Sequence, residues 1–481
     1  MLPPIPRIED YGISAENGFL PPEPPLEILP DPYYAKWETV VANLQPLLLS
    51  KRVRAVVDTM PILATDHLET DAEWRRAYVV LVFMLHGYIW GGDKPAEIVP
   101  PQLTVPLLQV CERLELPPVA TYAGVCLWNY RSIFPDEPTD DLDNLACLQT
   151  FTGSLDEQWF FLVSIALEAR GAPSIPLMLQ AISAARRGET PVVTECLQQL
   201  AEILDGFTAL LTRMYDNCDP YVFYNRIRPY LAGSKNMADA GLPNGVLYDD
   251  GQSTPQYRQY GGGSNAQSSI IQFFDIVLGV EHRPTGVTRN DQASANTNES
   301  PRPRHGFIHE MREYMPGPHR RFLGDVESVA NIRAYVEAHR SNSALCVAYD
   351  ACLSMLRVMR DKHIQIVSRY IIVQSRGARN ASQPMEPNQP AATNLATAAP
   401  KDNKKLRGTG GTALIPFLKQ ARDETGEPAI DSWAQRLLSG SLDKKSAALS
   451  KVGEHPDGNL EVVGLCGTWT ADDYEGGICH W

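Results

Sequence analysis

The sequence predicts a protein built almost wholly of α-helices, and three observations predict it. Apolar residues recur at three- and four-residue steps through most of the chain, Pro or Gly punctuates those runs, and little strand-like alternation appears. The first forty residues stand apart, because they are extended and rich in proline; they read as a strap lying over a surface. Helical periodicity then runs through Trp37–Leu49, Glu73–Tyr88, Val105–Leu114, Ala120–Tyr130 and Leu155–Glu168. It continues through Ile175–Ala185, Pro191–Met214 and Tyr221–Leu231, the last opening just after Asp219-Pro220, an N-terminal signal.

Residues 234–269 interrupt the pattern with Gly-, Asn- and Ser-rich sequence ending in GGGSNAQSS, and a helix, IIQFFDIVLGV, follows at once. Such glycine density marks backbone that bends sharply or approaches something closely. Polar stretches at about 283–304 and 381–406 read as mobile surface loops, the second leading into RGTGGT. Beyond Gly426, SWAQRLLSG suggests a short helix in a tail that is otherwise unpatterned to Trp481.

One helix, within Ser343–Arg376, sets a histidine into an apolar stripe. Leu345, Tyr349, Cys352, Leu356, Met359, His363, Ile366 and Tyr370 alternate at steps of four and three, so His363 points where the core residues point. A buried imidazole needs a partner for its ring nitrogens, since an unpaired polar group costs roughly 1–3 kcal/mol. A neighbouring side chain could supply that partner, and so could a metal.

Size and charge narrow the field. The 481 residues leave room for two domains and an enclosed cofactor. A formal net charge of −14 and a pI near 5.2 argue against nucleic acid and against an anionic membrane surface. No run of about 18 apolar residues predicts a membrane span, and the N-terminus has neither signal- nor transit-peptide character. Nine scattered cysteines, without a CxxC pair, look like buried thiols of a reducing compartment, so a cytoplasmic protein is expected.

Other motifs compete. His305, His309, Glu310 and His319 cluster in HGFIHEMREYMPGPH, with His305 and His309 spaced for one helical face, yet they lie where a loop meets a helix start among Arg, Pro and Gly. GGGSNAQSS has neither the lysine of a P-loop nor GxGxxG spacing, and no GxSxG elbow occurs. In FYNRIRPYLAG, Phe223, Arg226 and Arg228 read either as a surface cation over a ring or as an arginine fork for a carboxylate beside a stacking ring.

At this point the chain resembles a fungal member of the indoleamine 2,3-dioxygenase family, haem enzymes that open the indole ring of tryptophan. The resemblance rests on YAGVCLWNY, WFFLVS, FYNRIRPYLAG, GGGSNAQSSIIQFFDIVLGVEH, MREYMPGPHRRFL, YDACLSMLRVMRDKHIQIVSRYI and GTGGTALIPFLK, in that order over about two-thirds of the chain. It implies haem between a smaller N-terminal helical domain (1–150) and a larger one (151–425), with 426–481 an extension of unknown role. The activity implied is O2-dependent cleavage of the indole C2–C3 bond of L-tryptophan, giving N-formylkynurenine, by an enzyme expected to be monomeric.

The resemblance makes His363 the proximal haem ligand, with Arg360 and Asp275 as a salt bridge nearby. It assigns Arg228 to the substrate carboxylate and Phe223 to the indole. Tyr122, Val125, Cys126, Phe160, Phe161 and Ser164 would line the inner pocket, Gly263 and Ser264 the loop over the haem, and Thr409 a lid near the substrate ammonium. No residue is expected to act as acid or base.

Departures from the family pattern are local. The family's GGSAGQSS reads GGGSNAQSS, so Asn265 replaces a small alanine and Ala266 a glycine, and the cysteine-valine order of relatives appears as Val125-Cys126. A larger side chain at 265 leaves a haem-binding sensor or a low-activity paralogue as the alternative. An unrelated helical scaffold with His363 as core is the third reading.

Overall fold

The computed structural model describes residues 3–251, 256–287, 306–375, 414–438, 462–464 and 467–469. Ten helices carry the argument: α1 (Asp71–Trp90), α2 (Pro101–Leu114), α3 (Leu155–Gly171), α4 (Ser174–Arg187), α5 (Thr190–Thr212), α6 (Ser269–Leu278), α7 (Gly317–Val329), α8 (Ser343–Val367), α9 (Leu414–Thr425) and α10 (Ser432–Leu438). Strands are short: Ile98–Val99 runs parallel to Val246–Tyr248, which pairs antiparallel with Gln256–Arg258, and two further antiparallel pairs join Tyr130–Ser132 to Leu145–Cys147 and Val462–Gly464 to Gly467–Trp469.

Two helices form the spine of the chain beyond α4. On α5, Val193, Leu197, Leu200, Leu204, Phe207 and Leu211 repeat at helical steps and are all buried. Against this stripe packs α8, whose Leu345, Tyr349, Cys352, Leu356, Met359 and Ile366 are buried, and whose Cys352 Sγ donates to Leu197 O at 3.0 Å. In the N-terminal half α1 opens with a capping box, Thr70 and Glu73 satisfying each other's backbone N–H groups. Its residues from Ala77 to Leu85 are all fully buried, so α1 is a central helix rather than an amphipathic one.

Several expectations need correction. The proline-rich strap is sewn into the core: Phe19 lies 5.8 Å from Phe322 and 5.0 Å from the His319 ring, and the Leu29 N–H donates to Glu38, itself paired with Arg76 in the interior. Ala120–Tyr130 is not an α-helix but one π-turn (Ala123–Leu127) running into a strand. The Asn129 amide takes Val125 O at 3.1 Å and Gln149 O at 2.9 Å, capturing a carbonyl that a continuing helix would use. Tyr221–Leu231 is likewise broken by a π-turn at Phe223–Ile227, because Pro229 offers no N–H for a regular turn. The helix carrying His363 widens to a π-turn at Ser368–Val373. The expected loops at 283–304 and 381–406 fall mostly outside the described residues.

The glycine-rich stretch does approach something closely. A Cβ on Gly233 would collide with Tyr260 O and Gly262 N, and one on Gly262 with Leu231 O, so two backbone segments cross at van der Waals contact. Leu155–Arg187 is long and apolar enough to cross a membrane, but it is two helices, and 67% of its apolar window is buried inside the fold. The seven described cysteines are all unpaired.

His86 ties α1 to the strands of chain that border the interior. Its Nε2 accepts from Ala120 N at 2.9 Å and its Nδ1 donates to Tyr230 O at 2.6 Å, and burial pushes its pKa down to about 4. Replacing His86 by Ala strands a buried N–H and a buried C=O at about 1–3 kcal/mol each, so the thermal midpoint of the purified protein falls by several degrees. The wild type loses this contribution as pH drops below the imidazole's ordinary 6.5 toward about 4, because the neutral ring is the bonded form.

Candidate active site

The three π-turns and the glycine crossing surround one cavity. About 240 Å³ of it is open to the centre of a water-sized sphere, roughly twentyfold the 10–15 Å³ that a single buried water needs, so it is a ligand cavity and not a packing defect. Widened turns of this kind recur at functional sites because they rotate side chains off the regular helical register. Here Val125 and Cys126 come from the first, Phe223 from the second, and Tyr370 and Ile371 from the third.

One wall is α3, which presents Phe160 and Ser164 a turn apart. Phe160 and Phe223 stand 4.7 Å apart at 52°, and Tyr370 meets Phe223 edge-on at 5.7 Å. These rings pack on one another and present an aromatic wall against which a flat ligand can lie. The Arg228 guanidinium also faces the cavity, 5.5 Å over the Tyr224 ring, and burial lowers its pKa. A half-buried cation beside an aromatic wall suits a planar ligand bearing a carboxylate. Arg226 is exposed and does not take part.

The glycine loop forms another wall through Gly263, Ser264 and Asn265, and Gln267 holds it in place. The Gln267 side chain accepts from Tyr122 N at 2.8 Å and donates to Gly262 O at 2.9 Å, pinning the loop to the first π-turn. Tyr122 lines the cavity too, its hydroxyl donating to Ser164 O at 3.3 Å. Behind it lies Glu168, fully buried, accepting from Ser268 Oγ at 2.6 Å, with burial pushing its pKa up to about 7.

Helix α8 contributes His363, which faces the cavity. No described residue hydrogen-bonds its ring, and burial helped by Arg360 pushes its pKa down to about 4. At neutral pH it is therefore an uncharged imidazole lining a mainly apolar cavity, the state in which histidine can bind a metal. Arg360, one turn earlier, donates both Nη2 hydrogens to Asp275 at 2.6 and 2.8 Å. Coulombic attraction to Arg360 and to His282 holds the Asp275 carboxyl below its usual range against the opposing effect of burial.

Thirteen of the fifteen residues assigned from the sequence thus line one cavity: Tyr122, Val125, Cys126, Phe160, Ser164, Phe223, Arg228, Gly263, Ser264, Asn265, Asp275, Arg360 and His363. Phe161 is not among them; next to Phe160 on α3, it points the other way and is fully buried core. Thr409 and His305 lie outside the described residues. Sequence reasoning missed Gln267, Glu168 and His282, although all three sit inside segments that were singled out, and it missed Glu424, which no local pattern marks. The competing histidine cluster disperses: His319 is buried against Ser269 Oγ at 3.1 Å, Glu310 pairs with Lys235, and among the described residues no group of three or more His, Cys, Asp or Glu side chains could hold a metal ion.

Comparison with known proteins agrees with this geometry. A family model described as indoleamine 2,3-dioxygenase matches residues 7–428. The indoleamine 2,3-dioxygenase of Saccharomyces cerevisiae is 42% identical over 437 residues, covering 88% of this chain and 93% of its own. Indoleamine 2,3-dioxygenase nanC of Aspergillus nanangensis is 40% identical, covering 88% and 98%. The 6-hydroxytryptophan 2,3-dioxygenase fscD of Fusarium equiseti is 38% identical, covering 88% and 97%.

Removing one member of the Arg360–Asp275 pair leaves a buried charge uncompensated. Replacing Arg360 by Ala is expected to destabilise the protein by roughly 3–5 kcal/mol in urea denaturation, with Arg360→Lys recovering only part because one ammonium cannot also replace the second guanidinium nitrogen, which donates to Ala421 O and Thr425 Oγ1.

Proposed function

The chain belongs to the indoleamine 2,3-dioxygenase family, and from that premise we propose that it is a haem-dependent enzyme that cleaves the indole C2–C3 bond of L-tryptophan. Both atoms of O2 enter the product, N-formylkynurenine, so no other reductant or leaving group is required. The observation that carries the reading is the meeting, in one cavity, of a neutral imidazole, an aromatic wall and a half-buried guanidinium.

The residues fit haem. His363, on a wall with Met359, Ile366 and Val367, would hold the iron, and Gly263 would leave room beside the loop for the group. When bound, haem supplies the activation of O2 that the protein's own side chains lack. What the chain supplies is placement: Arg228 takes the substrate carboxylate, Phe223 and Phe160 hold the indole ring, and the apolar walls exclude water. Ser164 and Tyr122 both have hydroxyls committed to backbone carbonyls, Phe160 O and Ser164 O, so neither is arranged as a base. That suits a reaction in which no side chain abstracts a proton. Thr409 is proposed as the lid near the substrate ammonium, and a division into two helical domains near residue 150 and a cytoplasmic setting complete the proposal, the last supported by the unpaired thiols.

Hemin titration and turnover test the reading together. Wild-type protein takes up hemin with a Soret band and converts L-tryptophan to kynurenine products with ascorbate and methylene blue; His363→Ala loses the stable Soret species. Arg228→Ala keeps the Soret band but raises KM for tryptophan by about 10-fold or more, the scale of a lost charge-assisted bond. Turnover unaffected in Arg228→Ala would move the carboxylate clamp elsewhere.

A further inference from the structure

The Arg360–Asp275 pair does not stand alone. Asp275 Oδ2, which takes Arg360 Nη2 at 2.6 Å, also meets His282 Nε2 at 3.0 Å, and His282 Nδ1 meets Glu424 Oε2 at 2.7 Å. Glu424, on α9, is buried and also accepts from the Arg283 backbone N–H at 3.2 Å, while the Arg283 side chain pairs with Glu427. Three cations and three carboxylates thus alternate from α8 through α6 to α9: Arg360, Asp275, His282, Glu424, Arg283 and Glu427.

His282 is the member whose charge is conditional. Carboxylates only accept hydrogen bonds, so a ring with a carboxylate at each nitrogen must carry both protons. Asp275 and Glu424 raise the proton affinity of His282 against the burial that opposes it. Protons reach it, because His282, Asp275 and Arg283 also line a second, polar cavity of about 530 Å³. Around that cavity stand Glu281 on the same segment, His309 and Arg312 after Gly306, Glu327 on α7, and Arg333 and Glu337 on the helix Ile332–Ala338. Arg333 is paired with Glu281 and Glu337, and Arg312 with Glu327, so these groups largely neutralise one another.

We propose that His282 is a positioning residue for the wall that carries His363: its imidazolium, bridging Asp275 and Glu424, aligns the Arg360–Asp275 pair and clamps α9 to that wall, so that haem is held more tightly when His282 is protonated than when it is not. Above the pH at which His282 loses its proton, a bare nitrogen faces a carboxylate and the bridge opens. The sign follows from linkage: a histidine whose folded pKa is raised contributes fully below 6.5, and that contribution is lost as pH rises through the higher folded value. Arg422, paired with Asp361 at 3.1 Å on the other flank of α9, holds its charge throughout, so the clamp loosens rather than detaches. The inference rests on the haem reading above but is separable from it.

Haem transfer from the holoprotein to excess apomyoglobin, measured from pH 6 to 9, reads the clamp. In wild type the transfer rate rises about tenfold across the range, the change that one pKa unit of differential protonation gives. His282→Gln transfers fast at every pH, and His282→Lys, cationic throughout, restores slow transfer without the pH dependence. Thermal midpoints of the haem-free protein follow the same pattern, falling with pH in wild type and flat in His282→Gln. Parallel pH profiles for wild type and His282→Gln overturn the proposal. If that variant does not fold, 15N-histidine spectra of the wild type decide: two protonated ring nitrogens on His282 at pH 6.5 sustain the bridge, and one bare nitrogen overturns it. A wild type that takes up no hemin refutes the haem reading, while the thermal and 15N measurements still decide the role of His282.

Discussion

A neutral imidazole held in an apolar wall with no hydrogen-bond partner among the described residues is the constraint on which the rest of the structure depends. Leaving His363 in that state costs free energy unless something in the cavity engages it. The packing of α8 along α5 fixes where the ring points, since six residues of the same stripe are locked against α5 or the core around it. Around that fixed point the chain abandons regular helix three times, and each π-turn turns cavity side chains inward. The backbone crossing at Gly233 and Gly262 then brings the loop across from His363 within reach of the first π-turn.

Charge is distributed to match. The cavity is mainly apolar, and two cations line it: Arg228 by the aromatic wall, and Arg360, one turn before His363, neutralised by Asp275. Arg360 therefore helps keep His363 uncharged without adding an unbalanced charge to the wall. A buried network of this kind contributes orientation more than net stability, since desolvation offsets much of its Coulombic gain. Its cost recommends a positional role, and it links the histidine helix to a helix some sixty residues further along, α9.

Much of this was legible in the sequence, for particular reasons. The stripe through His363 is local periodicity, and periodicity survives into structure when a second stripe, here on α5, stands ready to bury it. The glycine cluster announced close backbone approach, and a close approach is what Gly233 and Gly262 make. Failures came where a side chain outcompeted the backbone pattern. Asn129 and Pro229 turned apparent helices into π-turns, and Phe19 and Leu29 drew an apparently superficial strap into the core. Phe161 shows the limit of adjacency, because neighbours on a helix face different ways and only Phe160 reaches the cavity. His282 and Glu424 lay beyond reach: they are 142 residues apart, and a single buried bridge leaves no periodic trace.

The claim that unites these features is that one cavity binds tryptophan and directs both atoms of O2 into it. Turnover of L-tryptophan by the haem-loaded protein under 18O2, followed by prompt mass spectrometry of N-formylkynurenine, tests that claim most directly. The account predicts two labelled oxygen atoms in the product, one at each carbonyl formed from the severed C2–C3 bond; a product carrying one labelled atom, or none, would contradict it.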